Sequence, residues 1–128
     1  MGVAVEGPTT DIARFAPTAD LDLPHSAAYL IVDIDTGRQT LNVRPGDALP
    51  MIRPAGRTPL TLEEGLAVAT QHPEWLRERN CFEMLGSRAG DERVTGVWVS
   101  KGSPRLGWCW VGNPHPWLGM ATTARRVG

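Results

Sequence analysis

The stretch from Gly107 to Gly119 reads Gly-Trp-Cys-Trp-Val-Gly-Asn-Pro-His-Pro-Trp-Leu-Gly, and the rest of the sequence is interpreted around it. It holds three of the five tryptophans, one of the two cysteines and one of the three histidines of a chain with only 6% aromatic residues. Because a buried tryptophan removes more apolar area from water than most side chains, this stretch is expected at the centre of the structure, of the function, or of both.

The first half of this stretch predicts a buried β-strand. Alternate residues of a strand face the same side of a sheet, so Leu106, Trp108 and Trp110 would share one face. Cys109 and Val111 would lie on the other face. Both faces are then small or apolar, which is typical of a central strand.

The second half predicts a rigid loop. Gly112 and Asn113 form a turn pair, and Pro114 and Pro116 fix the backbone on either side of His115. With so little backbone freedom, the imidazole of His115 is held in a defined position, where a ligand could meet it.

Composition excludes several classes of protein. With 128 residues, 41% of them hydrophobic and 21% charged, the chain can build one core without disulfides. No apolar run is long enough to span a bilayer, and no basic segment followed by an apolar one predicts export. We therefore expect a soluble, cytoplasmic protein that does not bind membranes. The net charge of -1 argues against a nucleic-acid-binding protein.

The N-terminal part is predicted to be separate from the domain. Residues 1–24 contain Pro8, Pro17 and Pro24 and show no sustained helical or strand periodicity. This pattern indicates a flexible or loosely docked, proline-rich arm. Residues 25–128 are predicted to form a single domain.

An N-terminal β-hairpin and an extended connection are predicted next. The apolar run over 27–34 predicts a strand, the residues from Asp33 to Gly37 a turn, and 39–43 the returning strand. Prolines at positions 50, 54 and 59 disfavour helix in the residues before them. Residues 49–60 are therefore expected to be extended.

The clearest local signal is a helix start. Thr61-Leu62-Glu63-Glu64 fits the capping box, so a helix is predicted from there to about Gln71. Pro73 ends this helix and permits a second short helix over 74–79.

The last third predicts a three-stranded antiparallel meander with strands over 81–85, 94–100 and 105–111. In this sheet Trp98 can pair across with Trp108 or Trp110 if the register permits. The predicted fold class is α+β, with an N-terminal β-hairpin, one or two short helices and this meander.

The segment Asp33-Ile34-Asp35-Thr36-Gly37 is the first candidate for chemistry. It resembles the Asp-Thr-Gly of aspartic proteases and the Asp-x-Asp of phosphotransferases. The capped helix does not fit an all-β protease, and Arg38 stands where that protease has a small residue. A phosphotransferase would require a parallel sheet. Turn chemistry is the preferred interpretation.

The cysteines and histidines are the second candidate. Cys81, Cys109, His115 and His72 are residue types that bind zinc, but no close pair such as Cys-x-x-Cys occurs, so we predict no metal and no cofactor. Catalysis by Cys81 or Cys109 with His115 as base would need an orienting carboxylate, either Asp91 or Glu83. The cysteine between two tryptophans is more typical of a buried, inert thiol.

The third candidate is a binding pocket. Asn113, His115 and Trp117 on the rigid loop would face the polar turn that carries Arg88 and Asp91. An aromatic wall with a few convergent polar groups is typical of ligand sites. The alternative is that Trp117 closes the end of the sheet while Asn113 and His115 satisfy loop backbone.

The sequence resembles an uncharacterised family from GC-rich bacteria of the actinobacterial type, classed as a domain of unknown function. The resemblance covers about residues 28–126. The segments that carry it are Val32–Gly37, Asn42–Val43, Arg57–Thr61, Glu63–Gly65, Leu85–Arg88, Gly90–Asp91, Leu106–His115 and Trp117–Gly119. The resemblance implies no activity, cofactor or partner.

The function predicted from the sequence is therefore unknown in biochemical terms. The preferred interpretation is a small binding or interaction module for a small molecule or a protein, with its pocket between the 87–91 turn and the 113–117 loop. The alternative is a small hydrolase or transferase that uses Cys109 or His115 with Asp91.

Overall fold

In the computed structural model, which describes residues 4–5, 12, 14–77 and 80–128, the Gly107–Gly119 stretch ends one strand and begins another. The strands and helices alternate irregularly along the chain. They are β1 (Ala4–Val5), β2 (Ala16–Pro17), β3 (Leu30–Asp35), α1 (Pro45–Ile52), β4 (Thr58–Pro59), α2 (Leu62–Gln71), β5 (Cys81–Met84), β6 (Ser87–Arg88), β7 (Arg93–Ser100), β8 (Ser103–Trp110), β9 (Leu118–Met120) and β10 (Thr122–Val127). The predicted α+β class is confirmed.

The largest sheet has five strands in the order β1-β8-β7-β5-β9. β7 pairs antiparallel with both β5 and β8, so the predicted meander is confirmed. The β7–β8 hairpin turns at Lys101 and Gly102, which both have positive φ, of 52° and 75°. That is the conformation of a tight turn matched to the twist of the strands. β9 and β1 extend the meander in parallel at its two edges.

The predicted N-terminal hairpin is wrong, because β3 pairs with β10 at the other end of the chain. Residues 38–40 form a 3₁₀ turn after Gly37, which adopts a left-handed φ of 88°. The Thr40 hydroxyl donates to the Gly37 carbonyl at 2.9 Å and accepts the Met120 amide at 2.9 Å. Thr40 is therefore held in a turn against β9. β3, β10 and β4 form a separate three-stranded sheet.

The predicted extended connection over 49–60 is also wrong, since its first part belongs to α1. Pro45 occupies the first turn of α1, where a missing N–H costs nothing, although Pro50 lies inside the helix. Ala48 and Ile52, four residues apart, are both buried. Burial of this apolar face outweighs the helix-breaking tendency of the second proline.

The predicted capping box is confirmed at the start of α2. The Glu64 amide donates to the Thr61 hydroxyl at 3.2 Å, and the Thr61 amide donates to the Glu64 carboxylate at 2.9 Å. The second predicted helix is reduced to a 3₁₀ turn over Pro73–Trp75. Positions 78 and 79, at the end of that predicted helix, lie outside the described residues.

The predicted pairing of Trp98 with Trp108 or Trp110 is wrong. The register places Trp98 opposite Arg105 and pairs Gly96 with Gly107. A Cβ on Gly107 would lie 2.4 Å from the Trp98 ring, so the indole covers this glycine. Trp108 and Trp110 contact each other edge to face, with ring centroids 4.8 Å apart. Trp110 is 49% exposed, so the end of β8 is not buried on both faces as predicted.

Part of the predicted N-terminal arm contacts the domain. Phe15 is buried in the main core, and β2 pairs antiparallel with β6. Positions 1–3, 6–11 and 13 lie outside the described residues, and the division of the chain at residue 24 stays a prediction. No helix in the described part of the chain is long and apolar enough to cross a membrane.

Candidate functional site

The two cysteines are free. Burial and, to a smaller extent, the carboxyl group of Glu83 raise the pKa of the Cys109 thiol to about 12. Burial also raises the pKa of Cys81, whose thiol donates to the Arg77 carbonyl at 3.0 Å. Both thiols are therefore protonated at neutral pH, which disfavours their use as nucleophiles. Within the described ranges, no three His, Cys, Asp or Glu side chains are grouped to hold a metal ion.

We expect native Cys109 to react with N-ethylmaleimide at pH 7 about a thousandfold more slowly than the thiol of the unfolded chain, because its thiolate fraction is that much smaller. Mass spectrometry of labelled peptides, with and without urea, measures both rates. Rapid labelling of the native thiol would contradict the inert assignment and favour the hydrolase or transferase alternative.

Arg88 and Asp91, from the predicted pocket, are brought together. The Arg88 guanidinium donates to the Asp91 carbonyl at 2.8 Å and to the Arg93 carbonyl at 3.2 Å. The Asp91 carboxylate accepts from the side chain and amide of Arg93, and these bonds lower the pKa of Asp91. Asp91 is thus engaged with Arg93, and these contacts stiffen the 87–93 turn.

His115 and Trp117 are also brought together, with ring centroids 5.1 Å apart. Trp117 contacts Trp98 edge to face at 5.9 Å. The His115 carbonyl accepts the Asn42 and Leu118 amides, and the Asn113 amide donates to the Trp110 carbonyl. Several backbone groups of the loop are therefore engaged in structural hydrogen bonds.

The end of the 113–117 loop and the 87–91 turn lie toward opposite ends of β5, whereas the start of the loop lies near the turn, where the Val111 amide donates to the Glu92 carbonyl. The Trp117 carbonyl accepts the amide of Cys81, which begins β5, whereas the turn with Arg88 follows the end of β5. The contacts of Arg88 and Asp91 described above stay within their own turn. A shared pocket between these two segments stays a prediction.

A cavity of about 730 Å³ lies elsewhere, between the end of β3 and the segment that precedes β5. Its lining is mostly polar and includes charges of both signs. The lining residues are Asp33, Ile34, Asp35, Thr36, Arg38, Gln39, Glu74, Trp75, Arg77 and Asn80.

One wall of this cavity is the Asp33–Gly37 segment. The Asp35 carboxylate accepts the Gly37 amide at 2.7 Å, so the predicted turn chemistry is present. Asp33 has an unusual φ of 60°, and Arg57 binds both its carboxylate and its carbonyl oxygen. The turn therefore also forms a fixed polar wall, a second role that turn chemistry alone did not indicate.

The opposite wall contains Trp75 and Asn80, which sequence reasoning missed. The Trp75 ring stacks on His72 with centroids 4.0 Å apart and an interplanar angle of 8°. Asn80 Oδ1 is buried and accepts no hydrogen bond from any described group. The sequence offered one signal for this wall, namely a tryptophan two residues after Pro73 and outside the Gly107–Gly119 stretch.

Glu83 and His115 Nε2 are further buried polar groups that have no hydrogen-bond partner among the described residues. The Glu83 side chain is 0% exposed, and neither carboxylate oxygen has a hydrogen-bond donor among the described residues. Burial raises its pKa to about 8. The sequence placed Glu83 only as an alternative partner for a catalytic cysteine, and the structure makes it a neutral acid at pH 7.

Comparison with known proteins identifies one family. A family model described as "Family of unknown function (DUF5701)" matches residues 1–128. No curated protein and no solved structure matches the chain. The predicted resemblance to an uncharacterised domain is confirmed at this level, while the bacterial origin and the motif segments stay predictions.

Proposed function

We propose that this protein, which belongs to the family of unknown function DUF5701, binds a small polar molecule in the cavity between residues 33–39 and 74–80. The volume of about 730 Å³ lies in the range of small-molecule sites. The proposal thus keeps the interpretation as a binding module that the sequence favours, but it places the ligand in a different site.

The proposal rests on the observation that Asn80 Oδ1 is buried and accepts no hydrogen bond from the described residues. A buried carbonyl oxygen without a hydrogen bond costs roughly 1–3 kcal/mol, and proteins seldom leave such a group unpaired without a functional reason. Asn80 lines the cavity, so a rotation of its side chain would bring this buried oxygen to an N–H or O–H group of a bound ligand and remove this cost.

The other lining groups narrow the ligand class. The indole of Trp75, already stacked on His72, supplies an aromatic surface, and the carboxylates of Asp35 and Glu74 accept hydrogen bonds. Arg38 and Arg77 supply positive charge for an anionic group. The favoured ligand is therefore a small molecule that carries both hydrogen-bond donors and an anionic group, such as an amino acid or a nucleotide.

Screening of amino acids, sugar acids and nucleotides by urea unfolding tests the proposal. A true ligand at 100 times its Kd should stabilise the protein by about 2.7 kcal/mol. Asn80→Ala should weaken binding by about tenfold or more, in line with the loss of one buried hydrogen bond. Calorimetric titration of the wild type and the variant measures the difference.

Asn113→Ala is the matched control, since Asn113 belongs to the pocket predicted from the sequence. Binding that is lost in Asn113→Ala and kept in Asn80→Ala would place the ligand in the 87–91 and 113–117 pocket instead. A panel in which no compound stabilises the wild type would contradict this proposal. The proposal keeps the cytoplasmic location that the sequence favours.

A further inference from the structure

β3 is an edge strand, because its side away from β10 has no strand partner in the described part of the chain. Leu30, at its start, is 69% exposed and lies opposite Val127 of β10 in the register. An unpaired strand edge presents backbone N–H and C=O groups that can pair with another chain.

A groove of about 390 Å³ runs beside this edge, with α2 as its other wall. Glu63, Ala67 and Gln71 line the helix wall and follow each other at intervals of four, so they form one stripe along α2. Ala28 and Ile31 line the strand wall. The small side chains of Ala28 and Ala67 leave room between the walls.

A strand edge next to a helix is the geometry in which proteins add an extended peptide as a further strand. In that mode backbone hydrogen bonds give affinity, and alternate side chains of the peptide enter the groove. Asp33 marks the end of the usable edge, since its φ of 60° departs from strand geometry. The pairing segment is therefore short and lies before Asp33.

The charges of the groove indicate the kind of peptide. The charge of Glu64 is compensated within the protein, because Arg126 and Tyr29 both bind its carboxylate. Glu63 is exposed, and among the described residues no cation forms an ion pair with it. A basic side chain of the peptide would complement this free carboxylate.

We propose that the groove between β3 and α2 receives an extended segment of a partner protein, which pairs with β3 and places a lysine or arginine beside Glu63. The groove adjoins the cavity assigned above, since Ile34 lines both, but the peptide proposal does not depend on whether a small molecule binds in the cavity.

Selection of random peptides displayed on phage against the full chain tests this proposal. Selected peptides, labelled with fluorescein, should carry a basic residue among alternating apolar ones, and Glu63→Gln should weaken their binding. Ala67→Arg should weaken it by about tenfold or more, because the larger side chain fills the groove. Thr70→Arg, at another exposed position of α2 that does not line the groove, should bind like the wild type.

Amide hydrogen exchange supplies the second measurement. Bound peptide should slow exchange of those amides of residues 30–32 that point away from β10, in the wild type and in Thr70→Arg. Three results would overturn the proposal: selection that yields no binder, peptides that bind Ala67→Arg as well as the wild type, or a homodimer that Ala67→Arg dissociates. The last result would assign the edge to a second copy of this chain.

Discussion

Replacement of Glu83 by glutamine is expected to stabilise the protein by at most about 5 kcal/mol at pH 8.5 and to change its stability little at pH 4.5. Glutamine has nearly the same shape as glutamic acid but cannot ionise. Burial raises the pKa of Glu83 from 4.5 to about 8 in the folded chain, a difference that corresponds to about 1.4 kcal/mol for each pKa unit.

The direction of the effect follows from proton binding. Below pH 4.5 the carboxyl group is protonated in both the folded and the unfolded chain, so it does not make stability depend on pH. Between pH 4.5 and 8 the unfolded chain releases the proton while the folded chain retains it, and the free energy of unfolding falls. Above pH 8 both states are ionised and the loss is constant.

Urea unfolding of the wild type and Glu83→Gln at intervals from pH 4.5 to 8.5 measures how their free energies of unfolding depend on pH. Glu63→Gln, an exposed position, is the matched control and should follow the wild type. If the difference between Glu83→Gln and the wild type does not grow as the pH rises, Glu83 is not the buried neutral acid described above.

Replacement of Arg126 by methionine is expected to destabilise the protein by about 3–5 kcal/mol, because it leaves a buried carboxylate without its counter-charge. The side chains of Arg126 and Glu64 are 5% and 4% exposed, and their closest atoms, Nε and Oε2, are 2.6 Å apart. Arg126 also donates to the Thr58 hydroxyl at 2.7 Å and to the Pro59 carbonyl at 2.9 Å. One guanidinium thus links α2, β4 and β10.

The pKa of Glu64 reports the same interaction. Burial alone would raise it, but hydrogen bonds from Arg126, the Thr61 amide and the Tyr29 hydroxyl hold it below its usual value. The stabilisation by this pair is therefore present above the pKa of the unfolded carboxyl group and is lost as the pH falls through the folded pKa.

Arg125→Met is the matched control, since Arg125 is the preceding residue of β10 and is exposed. Urea unfolding at pH 7 should show a change within about 0.5 kcal/mol for this surface position. The double variant Arg126→Met with Glu64→Met should recover part of the loss, because neither charge is then buried alone. Equal effects of Arg125→Met and Arg126→Met would refute the structural role of the pair.

The errors in the sequence prediction share one cause. The segment over 39–43 has the pattern of a strand, but the Thr40 hydroxyl accepts an amide from β9, 80 positions away, and holds a turn instead. Pro50 indicates extended chain, yet burial of Ala48 and Ile52 keeps α1 helical. In both cases a distant contact outweighs a local preference.

The candidate sites also combine features that are visible in the sequence with features that depend on distant contacts. The tryptophans and His115 of the Gly107–Gly119 stretch are visible in the sequence, and Trp98, Trp117 and His115 do contact one another in series. The cavity was not predictable, because it joins the end of β3 to residues 74–80, some forty positions later. Neither the burial of Asn80 Oδ1 nor the burial of the Glu83 carboxyl group can be read from the residue types.

The sequence by itself determined the capping box of α2, the antiparallel meander of β5, β7 and β8, and the turn at Asp35 and Gly37. These features depend on contacts between residues close in sequence, whose geometry residue type and spacing largely fix. Only the tertiary structure decided the pairing of β3 with β10, the burial of Glu83 and the walls of the cavity. Those features depend on which segments, distant in sequence, bury their surfaces against each other, and that is a property of the whole folded chain.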